Sequence, residues 1–239
     1  MVKNGLANDK LKIIAVITML VDHIGAYLFP YAMWLRIIGR ISFPIFAFMI
    51  AEGCRYTKNK KKYLLNMFVL AAFCHIAFLP FKPITHMRIP VTFTLAIVTV
   101  YALQNLESKW NSGVKKDKIS SAVVFILTIL AVALLNDKLK IDYGFYGCML
   151  PAFVSLAWTG RDGAENDDRS QYIYALVMLA MGLWLVYIDR GGVQIYSFAA
   201  IPLLLLYNGK RGNSVPKYFF YIFYPAHLAV IYAIKYLIL

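Results

Sequence analysis

Apolar residues fill this chain in long blocks, and the polar residues collect in the short stretches between them. The block "LKIIAVITMLVDHIGAYLFP", Leu11–Pro30, sets the type. Its length suits the roughly 17–25 residues that cross a bilayer as a helix. Nine such segments are expected, at about 11–29, 33–54, 63–80, 91–106, 119–135, 143–159, 171–188, 194–207 and 218–238. The eighth is short enough to be re-entrant. The first is too long for the apolar core of a signal peptide, and no small-residue cleavage site follows it, so a retained first span is expected. No internal repeat and no second domain are visible. The pattern predicts an all-α fold: a polytopic membrane helix bundle forming one domain over 1–239.

Composition supports that reading. The 239 residues are 61% hydrophobic, with a mean hydropathy of +0.63, whereas an ordinary soluble domain is about half apolar. The net charge of +13 would suggest nucleic acid in a soluble protein. Here the basic residues sit in short loops, so no nucleic-acid partner is expected, and their side of the membrane becomes the question. Odd-numbered gaps hold Lys3, Lys10 and Lys12, then Arg55, Lys58, Lys60, Lys61 and Lys62. Further along they hold Lys109, Lys115, Lys116 and Lys118, then Arg161 and Arg169, then Lys210, Arg211 and Lys217. Even-numbered gaps and the C-terminus hold only Lys82, Arg88, Lys138, Lys140, Arg190 and Lys235. The excess puts the N-terminus in the cytoplasm and the C-terminus outside. The stretch "RDGAENDDR", Arg161–Arg169, is net acidic but stays inside, because acidic residues count little in this rule. Cys54, Cys74 and Cys148 show neither paired nor metal-ligand spacing, so they read as small buried hydrophobes and no metal is expected.

Against this background the ionisable residues at membrane depth stand out. They are Asp22 and His23 in the first segment, Arg36, Arg40 and Glu52 in the second, His75 in the third and His227 in the ninth. A lone Asp or Arg at mid-bilayer costs about 2.5–3.5 kcal/mol, and four such charges cost on the order of 10 kcal/mol if exposed to lipid. They must face a bundle interior, a watery cavity or each other. His23 lies about 18 Å along the helix from Leu11. The first two segments are joined by a few residues near Pro30, so Asp22 and His23 can reach the depth of Arg36 and Arg40. The two arginines are spaced i,i+4 and share one helix face. Pro44 leaves the Arg40 carbonyl free and should kink its helix; Pro225, in "FYPAHL", frees the Tyr221 carbonyl near His227.

His23 is the candidate base, since a neutral imidazole can take a proton from a hydroxyl or amine near neutral pH. Asp22 diverges from it by about 100° on a helix and is placed to hold an arginine instead. The arginines could stabilise an oxyanion or bind an anion. A buried Asp22–arginine network that only fixes helix packing explains the acid equally well, but not the clustering. His75 reads as a packing residue. Asp142, in "KIDYGFYG", is either the N-cap of the sixth span or part of an outer entrance. In "LYNGKRG", Leu206–Gly212, Asn208-Gly209 stops a helix and Lys210 and Arg211 obey the charge rule; alternatively the turn binds phosphates.

Five stretches taken together carry a resemblance: "LKIIAVITMLVDHIGAYLFP", "LRIIGRISFPIFAFMIAEGCRYT", "DYGFYG", "YNGKRG" and "KYFFYIFYPAHL". In this order, from Leu11 to Leu228, the chain resembles the TraX family, whose founding member is associated with acetylation of F-pilin. That family is similar to a larger group of integral membrane acyltransferases with an essential histidine in the first span. The resemblance puts this role on His23. It also marks Arg36, Arg40, Pro44 and Glu52 in the second stretch, Asp142 and Tyr143 in the third, Tyr207, Asn208, Lys210 and Arg211 in the fourth, and His227 in the last. It implies acyl transfer from cytoplasmic acetyl-CoA to a peptide amine, a sugar hydroxyl or a lipid-linked glycan, in a bacterial cytoplasmic membrane.

The expected mechanism has acetyl-CoA entering from the basic cytoplasmic side, near loops 55–62 and 208–217. His23 deprotonates an acceptor that comes from the outer side, with Asp22, Arg36 and Arg40 completing the catalytic group. Glu52, Asp142, Tyr143, Tyr207, Asn208, Lys210, Arg211 and His227 are the expected binding residues. The rival reading is a transporter or flippase that uses the same charges. The missing repeat and the odd number of spans weigh against it.

Overall fold

The computed structural model describes residues 5–81, 86–110, 114–158, 168–213, 215–216 and 218–237. Lys3, Lys82, Lys217 and the Arg161–Asp167 part of the acidic loop lie outside them. The chain divides into two compact units, residues 1–49 with 190–239, and residues 50–189. Apart from one two-residue strand pair, the regular structure among the described residues is helical.

The first unit is built on a hairpin of α1 (Asn8–Tyr27) and α2 (Met33–Gly39). Helix α1 stops because the amides of Leu28 and Phe29 both turn back to the Ile24 carbonyl, and Pro30 disfavours helix in the residue before it. Gly25 lets the two helices close: a Cβ there would lie 2.6 Å from that of Leu35. After Gly39 the chain tightens, with the Arg40 amide bonding Ile37 O (3.2 Å) and the Ile41 amide bonding Ile38 O (3.3 Å). Helix α3 (Ser42–Tyr56) then begins, and its boundary with the second unit falls within it. Where one kinked helix is expected, the structure has a break. Pro44 cannot bond the Arg40 carbonyl, whereas in the first turn of a new helix its missing N–H costs nothing. The same unit holds a 3-10 segment (Gly192–Ala199), the short α9 (Ala200–Leu205) and α10 (Phe219–Leu237). Helix α10 packs on α1, and the 3-10 segment packs on α2.

In the second unit α5 (Ile89–Trp110) is central, packed by α4 (Lys60–Ala77), α6 (Lys115–Lys138) and α7 (Gly144–Leu156). Asn59 caps α4 by accepting the Lys62 amide at 2.9 Å. Val132, Ile141, Cys148 and Met149 form a core cluster with Leu95 and Phe153 around it. A two-residue parallel pair, β1 (His86–Met87) with β2 (Lys140–Ile141), ties the start of α5 to that of α7. Gly182 of α8 (Asp168–Arg190) admits Leu150 and Phe153 against its backbone. All three cysteines are buried and unpaired with each other.

Five helices are long and apolar enough to cross a membrane: Met33–Tyr56 (α2 and α3 taken together), Ile89–Trp110, Lys115–Lys138, Arg169–Arg190 and Phe219–Leu237. Helix α6 shows Val123, Ile126, Leu127, Leu130 and Leu134 on its surface, and α4 shows Leu65, Phe68, Phe73 and Ile76. Apolar faces of this extent are at home in lipid. The chain is thus a helical membrane protein. The other expected spans fall on shorter or more charged helices. Helix α1 carries Asp9, Lys10, Lys12 and Asp22, α4 begins on three lysines, and α7 has 13 residues. The eighth is the composite Gly192–Leu205.

Candidate functional site

The site in the first unit starts from two arginines and one acid. Asp22 sits on α1 opposite Gly39, where a Cβ would overlap its carboxylate, so only glycine lets the acid reach α2. One carboxylate oxygen accepts Arg36 at 2.6 Å, and the other accepts Arg40. The Arg36 guanidinium also donates to the Asp22 carbonyl (3.1 Å), and Arg40 Nε donates to the Arg36 carbonyl (3.3 Å). Asp22 and Arg40 are buried, while the Arg36 side chain keeps 28% of its surface. The i,i+4 spacing therefore delivers both cations to one acid, and these three groups together carry one net positive charge. Divergence of neighbouring residues on a helix sends His23 elsewhere.

His23 goes to α10. Its Nδ1 lies 2.7 Å from Nε2 of His227, and the two rings meet edge to edge, with centroids 5.0 Å apart and planes within 6°. Both residues are buried. The other ring nitrogen of His227, Nδ1, is 2.8 Å from the Phe223 carbonyl, one helical turn back. A carbonyl only accepts, so His227 Nδ1 carries a proton. In the neutral pair His227 Nε2 is then the acceptor, and His23 Nδ1 donates to it. The lone pair of His23 is thereby put on Nε2. This is the orienting logic of a hydrogen-bonded base, with a neutral imidazole and a backbone carbonyl as the orienting groups. Tyr224 stands edge-on to both histidines, at 6.4 Å from His23 and 5.5 Å from His227. Tyr27, one turn beyond His23, is 5.9 Å from it and 5.1 Å from Tyr232.

The "YNGKRG" turn is sewn to the start of α1. The Leu6 and Asn8 amides donate to Leu206 O (2.7 Å) and Lys210 O (2.8 Å), and the Asn208 amide donates to Leu6 O (3.0 Å). The Asn208 side chain donates to Gly5 O and accepts the Lys210 amide, both at 2.9 Å. Tyr207 is buried edge-on to Phe48. Gly209 and Gly212 have φ of 74° and 68°. At Gly212 a Cβ would also meet the Asp9 carboxylate, which accepts the Lys10 amide at 2.8 Å. Lys10, Lys210 and Arg211 remain exposed on this strap. Helix α9 ends at Leu205, ahead of Asn208-Gly209, and the turn that follows displays these cations.

The remaining predicted residues belong to the second unit. Glu52 is buried in α3. Asp142 is not the N-cap of α7; that position is Tyr143, at φ 63°, and no side chain caps the helix. Asp142 is pinned instead by its main chain, its amide donating to Met87 O (3.0 Å) and its carbonyl accepting Thr92 Oγ1 (2.7 Å). His75 lines an apolar cavity of about 220 Å³ with Phe68, Met87 and Leu95. Among the described residues no group of three His, Cys, Asp or Glu is arranged for a metal. Sequence reasoning named His227 as a binding residue but missed its pairing with His23. The partners are 204 residues apart, and no spacing rule spans that distance. Tyr27, four residues after His23 and so on the same face, was open to the same i,i+4 argument as the arginines.

The fold and site define a helical membrane protein with a buried histidine pair beside an acid that binds two arginines. The chain belongs to the TraX family, whose sequence pattern matches residues 7–235. It is similar to a Dichelobacter nodosus protein named "Probable fimbrial assembly protein FimC, serogroup H1", with 27% identity over 95% of this chain and 94% of that one. An uncharacterized protein of Rickettsia prowazekii (strain Madrid E) is 41% identical over 66% of this chain and 57% of its own length. No solved structure matches.

Proposed function

We propose that this chain is a multi-pass acyltransferase of a bacterial cytoplasmic membrane, moving an acetyl group from acetyl-CoA to an amine or hydroxyl. The histidine pair carries the proposal. A relay that sets a lone pair on His23 Nε2 serves proton abstraction and has no evident use in packing. The acceptor loses its proton to His23 Nε2 as its oxygen or nitrogen bonds the thioester carbonyl carbon. The tetrahedral oxyanion collapses, the C–S bond breaks, and the proton passes from His23 to the departing sulfur as CoA thiol. Arg36 and Arg40 favour the negative charge of that intermediate. Lys10, Lys210 and Arg211 suit the CoA phosphates. Nine spans with a cytoplasmic N-terminus put this strap on the side where acetyl-CoA is made, and His23 in the outer half. The fimbrial assembly name of one relative makes a surface-protein amine the first acceptor to try.

The test is thiol release from acetyl-CoA by purified protein in detergent, with and without candidate acceptors. His23→Ala should lower the rate by about 10²–10⁴-fold, the usual share of a general base. A wild-type rate in that variant overturns the assignment. Saturable solute movement in liposomes without any thiol release would favour transport instead.

A further inference from the structure

One face of α4 carries a stripe that begins with a cation and ends at a cavity. Lys61, Leu65, Phe68, Ala72 and His75 follow one another at spacings of four, three, four and three, which lines them up along an α-helix. Phe68, Ala72 and His75 form one wall of the apolar cavity of about 220 Å³, and Met87, Val91 and Leu95 form the other. Thr94 also lines it, but its hydroxyl is spent on the Pro90 carbonyl at 2.7 Å. The cavity is partly open, beside the exposed Leu65 and Phe68 of a face that belongs in lipid. At the other end of the stripe, Lys60 turns to α5, donating to Gln104 Oε1 at 2.7 Å and lying 5.3 Å from the Tyr101 ring. Lys58, Lys61 and Lys62 are exposed, and among the described residues their side chains make no hydrogen bond, ion pair or ring contact. No acid lies in the first turn of α4, where the helix dipole is itself positive.

At 1.5 Å per residue, Phe68 and His75 lie about 10 and 21 Å along the helix from Lys61. The hydrocarbon of one leaflet is about 15 Å deep, half of a bilayer core. A phospholipid with its phosphate at Lys61 therefore lays an acyl chain past Leu65 and Phe68 and into the cavity. A soluble phosphate compound would use the cations and leave the cavity empty. A lipid without net charge would use the cavity and leave the cations unmatched. We infer that the α4–α5 groove holds one anionic phospholipid, its phosphate on Lys61 with Lys58 and Lys62, and one acyl chain in the cavity. The site lies wholly in the second unit and does not depend on the acyltransferase reading.

The experiment uses the full chain in a neutral detergent, read by native mass spectrometry as phosphatidylglycerol or phosphatidylcholine is added. Wild type should hold one phosphatidylglycerol in preference to phosphatidylcholine. Lys61→Gln should weaken phosphatidylglycerol about fivefold, the usual share of one cation at a lipid surface, and leave phosphatidylcholine unchanged. Ala72→Phe, which fills the cavity, should weaken both lipids. Lys116→Gln, at an exposed cation in the first turn of α6, should change neither. No preference in wild type would overturn the site. So would equal losses in Lys61→Gln and Lys116→Gln, which mean diffuse attraction to a basic protein. Displacement of phosphatidylglycerol by inorganic pyrophosphate, with Ala72→Phe without effect, would give the lysines to a soluble phosphate and overturn the lipid. Should Ala72→Phe fail to fold, the comparison of Lys61→Gln with Lys116→Gln still decides.

Discussion

At the scale of single residues, what matters is which ring nitrogen carries which proton. The Phe223 carbonyl sets His227, and His227 sets His23. Any acceptor at position 227 should preserve part of this order. His227→Gln retains a carbonyl oxygen for His23 Nδ1–H, whereas His227→Ala removes the partner. Acetyl transfer should fall on the order of 10²-fold in the alanine variant and recover in part in the glutamine variant, as rates with acetyl-CoA will read. Equal loss in both would mean that ring packing, not proton placement, is the role of His227. Asp22 poses a different problem. Removing one partner of a buried ion pair strands the other charge, at about 3–5 kcal/mol. Asp22→Asn should therefore lower the midpoint of thermal unfolding in detergent, and Arg40→Gln in the same chain should restore part of it. Additive losses would show that the two side chains are not coupled.

At the scale of elements, the site depends on how closely α1 and α2 approach. Gly25 and Gly39 line that seam, and Asp22 occupies the space a side chain at 39 would need. Gly39→Ala should cost about 1–3 kcal/mol through overpacking. Thermal unfolding measures this; an unchanged midpoint would mean that the hairpin has slack. The break between α2 and α3 serves the same seam. It ends the first helix just where Arg40 must turn its guanidinium to Asp22 while its Nε reaches the Arg36 carbonyl.

At the scale of the whole molecule, the open quantity is the number of crossings. The composite Gly192–Leu205 has eight residues of 3-10 and six of α-helix. At about 2.0 and 1.5 Å per residue it reaches roughly 25 Å, near the thickness of a bilayer core. If it crosses together with the eight other expected segments, the total is nine and the ends lie on opposite sides. An alkaline phosphatase fusion at the C-terminus should then be active, and an N-terminal cysteine tag should be shielded from impermeant reagents. Ends on the same side would make this segment re-entrant.

Several features were legible in the sequence for simple reasons. Block hydrophobicity alone forces helices in lipid, because no other local structure satisfies its own backbone. The cost of buried charge required Asp22 to find the arginines, and their i,i+4 spacing gave them a common face. The break at Arg40 was half legible: Pro44 announced a disturbance, but only backbone geometry turned a kink into two helices. The meeting of His23 with His227 and the sewing of "YNGKRG" to the N-terminal segment were not legible. Each depends on which helices become neighbours, and pairing between distant segments leaves no period in the chain. The sequence by itself determined which groups had to be hidden from lipid; the tertiary structure decided which partner each would meet, because only packing brings residues 23 and 227 within one hydrogen bond.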